Sequence, residues 1–73
     1  MADDDLSDEQ YTLADQIERF LQEHSATTWS PSLIARAVRS STRQVRPVLT
    51  YMSHHRYIVS VGNGAWTRYT AKD

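Results

Sequence analysis

Five side chains between positions 42 and 50, namely Thr42, Arg43, Gln44, Arg46 and Thr50, carry hydrogen-bonding groups and no negative charge. A guanidinium is a planar fork of N–H donors suited to phosphate oxygens or paired acceptors. A glutamine amide presents one donor end and one acceptor end, and a hydroxyl can act either way. Groups of this kind perform recognition rather than bond-breaking. The apolar residues interleaved with them, Val45, Val48, Leu49 and Met52, follow a helical rhythm, so the polar set, together with Pro47, falls on the outer face of a helix. The surrounding charge supports this reading. Residues 24–72 hold Arg36, Arg39, Arg43, Arg46, Arg56, Arg68 and Lys72 with no acid, a balance of +7, whereas residues 1–23 hold eight acids against Arg19, a balance of −7. The near-neutral total therefore conceals a basic surface kept for a polyanion.

Other chemistries find little support. Cysteine is absent, which excludes disulfides and thiolate metal sites. His54 and His55 are adjacent, point in different directions and lack a carboxylate or cysteine at short spacing, so they read as wet residues at a helix end and no metal is expected. There is no glycine-rich phosphate loop, no activated nucleophile signature, and no carboxylate pair outside the first helix. The expectation is a non-enzyme with no catalytic residue and no cofactor. No apolar run approaches the roughly 20 residues of a membrane span, and the acidic start is unlike a signal peptide. An intracellular protein, in the cytoplasm, nucleoid or nucleus, is expected.

The elements that must position the polar set can be read in chain order. Residues 1–6 are an acidic lead without periodicity. Ser7 with Gln10 forms a capping box, and Leu13, Ile17, Phe20, Leu21 and His24 then recur at helical spacing, predicting a first helix over 8–24 with His24 partly buried. Asp15, Glu18, Gln22 and Glu23 form its outer face, which repels phosphate and makes this helix a scaffold. Ser30-Pro31 opens a second helix over 31–38, with Trp29 stapled to Ile34 and a short strand expected at Thr27–Trp29. Ser41 with Gln44 opens a third over 42–54, in which Pro47 removes one backbone hydrogen bond, so that the helix bends there or starts late. Two β-rich runs, 57–61 and 65–70, flank Gly62-Asn63-Gly64. A two-residue Asn63-Gly64 turn sets Val61 opposite Trp66 and Ile58 opposite Tyr69, with both aromatics assigned to packing rather than to base stacking. Residues 7–70 thus form one small α+β domain, followed by a short tail at 71–73.

Two short helices joined by a tight turn and followed by a hairpin resemble the winged helix-turn-helix family. Its pattern I-A-x-x-L-G-x-S-x-x-T-V-x-x-x-L-x-x-L-x-x-x-G-L-I aligns without a gap to residues 34–58. Ile34-Ala35, Val38, Ser41, Val45, Leu49, Met52 and Tyr57-Ile58 stand at the conserved-type positions of that pattern, while Arg39 and Arg56 replace its two glycines. A non-glycine there must accept an awkward backbone or lengthen the turn.

The resemblance implies a three-helix core with a C-terminal β-hairpin wing. It places helix 3 in the major groove of double-stranded DNA, with Thr42, Arg43, Gln44, Arg46 and Thr50 near base edges. Arginine pairs bidentately with guanine, and glutamine with adenine. Arg36, Arg39, Ser40 and Ser41 would face the phosphates, as would Asn63, Arg68 and Lys72 of the wing. A small transcriptional regulator follows, working as a homodimer or with a partner protein. The alternative is a winged helix that serves as a protein–protein interaction module in a larger complex.

Overall fold

The computed structural model describes residues 6–62 and 64–72. It shows a small α+β architecture in the order α1 (Asp8–Glu23), α2 (Pro31–Ala37), α3 (Thr42–His54), β1 (Ile58–Val61), a single 3-10 turn (Gly64–Trp66) and β2 (Arg68–Ala71). No helix among the described residues is long and apolar enough to cross a membrane.

Each helix starts where its capping chemistry places it. Ser7 accepts from the Gln10 amide at 3.3 Å, while the Gln10 side chain accepts from the Ser7 amide at 2.9 Å. Ser30 caps α2 through the Leu33 amide at 3.3 Å, with Pro31 in the first turn. Ser41 accepts from the Gln44 amide at 3.1 Å. Such caps are worth about 1 kcal/mol each because they satisfy amides that the helix itself leaves unpaired.

The helix ends are less conventional. At α2, the Arg39 amide donates to Arg36 O (3.2 Å) and the Ser40 amide to Ala35 O (2.8 Å). At α3, the Arg56 amide donates to Ser53 O (3.1 Å) and the Tyr57 amide to Met52 O (2.9 Å). Both are Schellman closures, which require a left-handed residue usually supplied by glycine. Here arginine supplies it twice, with φ 57° at Arg39 and 63° at Arg56, so neither turn is lengthened.

α3 does not start late; it runs from Thr42 to His54 with the proline inside. An interior proline costs about 3 kcal/mol. Val45, Val48, Leu49 and Met52 are all buried on the inner face of this helix. At roughly 1.5–3 kcal/mol per buried side chain, their packing outweighs that loss.

The core joins Ile17 and Leu21 of α1, Ile34 and Ala35 of α2, these four α3 residues, and Ile58 and Tyr69 of the strands. Leu33 is 40% exposed, so Ile34 is the inward residue of α2. His24 is exposed rather than partly buried, because α1 ends at Glu23, one residue earlier than the periodicity suggests. Its ring still lies against Phe20 and Trp29, at 4.8 and 5.6 Å. Trp29 packs its ring on Phe20 at 4.9 Å.

The hairpin departs from the expected register. β1 and β2 are antiparallel, with Ile58 opposite Ala71 and Val61 opposite Arg68, two residues further along β2 than a two-residue turn allows. The connection is longer because Gly62 takes φ 90° and Gly64–Trp66 form a 3-10 turn. A shift of two preserves which face each side chain occupies, so Tyr69 remains in the core. The expected strand at Thr27–Trp29 is reduced to a single bridge. There the Trp29 and Tyr69 amides and carbonyls exchange bonds of 2.8 Å in both directions.

Candidate nucleic-acid interface

α3 presents its polar residues along two banks. Thr42, Arg46 and Thr50 recur every fourth position. They line a cleft of about 410 Å³ whose other wall comprises Ser30 and Ser32 of the α2 start and Gly64 and Thr67 of the hairpin connection. Arg43, Gln44 and Pro47 line a larger groove, about 1080 Å³, whose far wall is the first two turns of α1, including Glu9 and Thr12. Arg39 also borders this second groove.

Arg43, Arg46 and Thr50 are exposed, whereas Thr42 is half-buried. Among the described residues the one ion pair is Arg19–Asp15, at 3.3 Å on the surface of α1. The guanidinium groups of Arg36, Arg39, Arg43, Arg46 and Arg56 therefore have no carboxylate within 4.0 Å among the described residues. Glu9 is an acid on the far wall of the larger groove, so that groove is less positive than the α3 sequence alone suggests.

Several expected contact residues are already engaged. The Gln44 side-chain oxygen accepts from the Ser40 hydroxyl at 2.7 Å and from the Ser41 amide at 3.4 Å. Bidentate pairing with adenine needs both ends of the amide, and here the acceptor end serves the helix cap. The Ser41 hydroxyl is likewise the acceptor of that cap. Arg68 is held by the loop before α2: its Nε donates to the Thr28 hydroxyl at 2.9 Å and its Nη2 to the Thr28 carbonyl at 2.8 Å. It acts as a strut between β2 and the loop before α2. Arg36 and Lys72 are exposed, and Asn63 lies outside the described residues.

Two features escaped the sequence reading. Trp66, assigned to packing, is 83% exposed, because the register shift places it on the 3-10 turn rather than opposite Val61. His55 is exposed at the end of α3, as read, but its ring also joins an aromatic cluster. In it His55 lies 4.3 Å from Tyr51 (planes 38° apart) and 6.1 Å from Tyr57 (planes 18° apart), Tyr51 and Tyr57 are 6.5 Å apart, and Tyr51 meets Tyr11 edge-on at 6.2 Å. The four-residue spacing of Tyr51 and His55 was a legible signal for part of this cluster. Val59 and Val61 of β1 are also exposed, at 42% and 47%.

Comparison with protein-family models, with curated proteins and with solved structures gives no match. The functional reading therefore rests on the geometry and the chemistry of the side chains.

Proposed function

We propose that the chain is a winged helix-turn-helix protein that binds double-stranded DNA through α3 in the major groove, as a small intracellular transcriptional regulator. The observation that carries this reading is the outer face of α3. Arg43 and Arg46 are exposed there, and no described carboxylate pairs with either. Two unpaired guanidinium groups on a helix of 13 residues, flanked by threonine hydroxyls, suit base edges and phosphates together. Arg39 adds charge at the turn before this helix. Arg46 and Thr50 share their cleft with the hairpin, so a duplex seated on α3 meets the wing as well.

The decisive experiment measures binding to mixed-sequence duplex DNA at two salt concentrations, for the parent and for the Arg43→Ala/Arg46→Ala variant. Roughly micromolar binding that weakens steeply with salt is expected for the parent. The variant should fold normally and lose most of the affinity. Parent and variant failing alike at low salt would reject the reading.

A second reading, a winged helix that serves as a protein-interaction module, is favoured by the aromatic cluster of Tyr11, Tyr51, His55 and Tyr57 and by the exposed Val59 and Val61 of β1. Exposed apolar patches of this kind mark association surfaces. Under that reading, Tyr57→Ser would abolish partner binding that salt scarcely affects.

A further inference from the structure

We propose that Trp66 is a stacking platform for one unpaired nucleobase, so that the chain prefers DNA carrying an unstacked base beside the α3 site. This inference rests on the α3 reading above and specifies the DNA structure that site takes.

Three observations carry it. Trp66 is the most exposed large hydrophobic residue described, at 83%, against 52% for the next, Tyr57. An indole left in water holds a large apolar surface that a flat partner can cover.

The backbone beneath the ring is braced. The Thr67 amide and hydroxyl both donate to the Gly64 carbonyl, at 3.3 and 2.9 Å. Gly62 lies so close beneath the turn that a Cβ there would sit 2.9 Å from the Trp66 carbonyl oxygen. A fixed backbone carrying a ring with two rotatable bonds loses little entropy when a ligand stacks on it.

The same turn also borders the α3 cleft, since Gly64 and Thr67 form a wall of the space lined by Arg46 and Thr50. The connection from 62 to 67, Gly-Asn-Gly-Ala-Trp-Thr, has no charged side chain. The wing therefore has no cation at this turn with which to grip a phosphate, and its aromatic face is the group it offers.

A paired base hides both faces within the duplex stack. A ring of this kind therefore gains most from a base that is already unpaired, since stacking on an aromatic side chain tolerates any base identity.

The test uses three labelled probes: a fully paired duplex, the same duplex with a single-nucleotide bulge, and the same duplex with a short 3′ overhang. Binding is followed by fluorescence anisotropy for the parent, Trp66→Ala, Trp66→Phe and Arg43→Ala/Arg46→Ala. Because Trp66 is exposed, Trp66→Ala should keep the parental melting curve, which separates lost stacking from lost folding. The parent should bind the bulged or overhung duplex roughly tenfold more tightly than the paired one. Trp66→Ala should lose that advantage while keeping paired-duplex affinity, and Trp66→Phe should retain most of it. The emission difference between the parent and Trp66→Phe should be quenched by the bulged probe.

Equal affinity for all three probes, with binding still abolished in the double arginine variant, would overturn the stacking role and leave the α3 reading intact. A preference that survives in Trp66→Ala would also overturn it. Binding to no probe would remove both.

Discussion

Arg39 and Arg56 hold the same left-handed backbone, φ 57° and 63°, each at the residue that closes a Schellman turn. An L-residue in this conformation costs about 1–2 kcal/mol relative to glycine, partly offset by the greater freedom glycine has when unfolded. The two helix ends are thus equivalent in strain but differ in position. Arg39 borders the groove shared with Arg43, whereas Arg56 leads into β1 beyond the far end of α3.

Replacing either arginine with glycine should therefore stabilise the fold by about 0.5–1 kcal/mol, raising Tm by several degrees in a domain of this size. Only Arg39→Gly should also weaken DNA binding at low salt. Thermal melts and anisotropy on the same samples check both halves, and equal DNA affinities for the two variants would count against the assignment of Arg39 to the phosphates.

Gln44 permits a cleaner separation of stability from binding. In Gln44→Glu the side-chain oxygens still accept from Ser40 and Ser41, and a negative charge suits the first turn of a helix. Stability should hold or rise slightly, while DNA affinity falls because an anion now stands on the α3 face. Gln44→Ala should behave in the opposite sense, losing about 1 kcal/mol of stability with a smaller change in binding. Denaturant titration beside a DNA titration distinguishes the two.

Arg68 should prove structural. Its two bonds to Thr28 join segments 40 residues apart in a partly buried site. Arg68→Ala should destabilise the fold by about 1–2 kcal/mol. Arg68→Lys should not rescue it, because one ammonium on a flexible stem cannot reproduce the fork that reaches the hydroxyl and the carbonyl together. Urea unfolding of the three proteins provides the comparison.

Pro47 is exposed, so exchanging it for alanine removes little packing and restores an amide able to donate to the Arg43 carbonyl. Pro47→Ala should raise stability by about 1–3 kcal/mol. A loss of stability would show that the ring packs against something essential in the groove beside α1.

The sequence was most legible where the determining interactions are local. Ser7 with Gln10, Ser30 with Pro31, and Ser41 with Gln44 each mark a helix start within four residues, and the observed caps occupy those positions. The spacing of Val45, Val48, Leu49 and Met52 identified the buried side of α3 for the same reason. The hairpin register was not legible. Asn63-Gly64 competes with Gly62 as the site of reversal, and only Gly62 packed under the Trp66 carbonyl shows which connection forms. The polar face of α3 was read correctly as exposed at Arg43 and Arg46. The second task of Gln44 is a local pairing already present in the capping box, so the conflict with base reading could have been seen in the sequence. The engagement of Arg68 with Thr28 could not, because it depends on how β2 meets the loop before α2.

The bridge between Trp29 and Tyr69 also bears on the order of folding. It closes the chain between residues 29 and 69, whereas α2, its turn and α3 close over short separations. Long closures carry the larger entropy loss and tend to form after the local ones. The α2–α3 pair should then be organised in the transition state, with the Tyr69 bridge added on the native side of the barrier. Loss of the buried Tyr69 side chain that holds β2 to the core beside this bridge, as in Tyr69→Ala, would show itself as faster unfolding with a nearly unchanged refolding rate. The hairpin would then act as a latch that sets the lifetime of the native state, while the three helices set how quickly that state is reached.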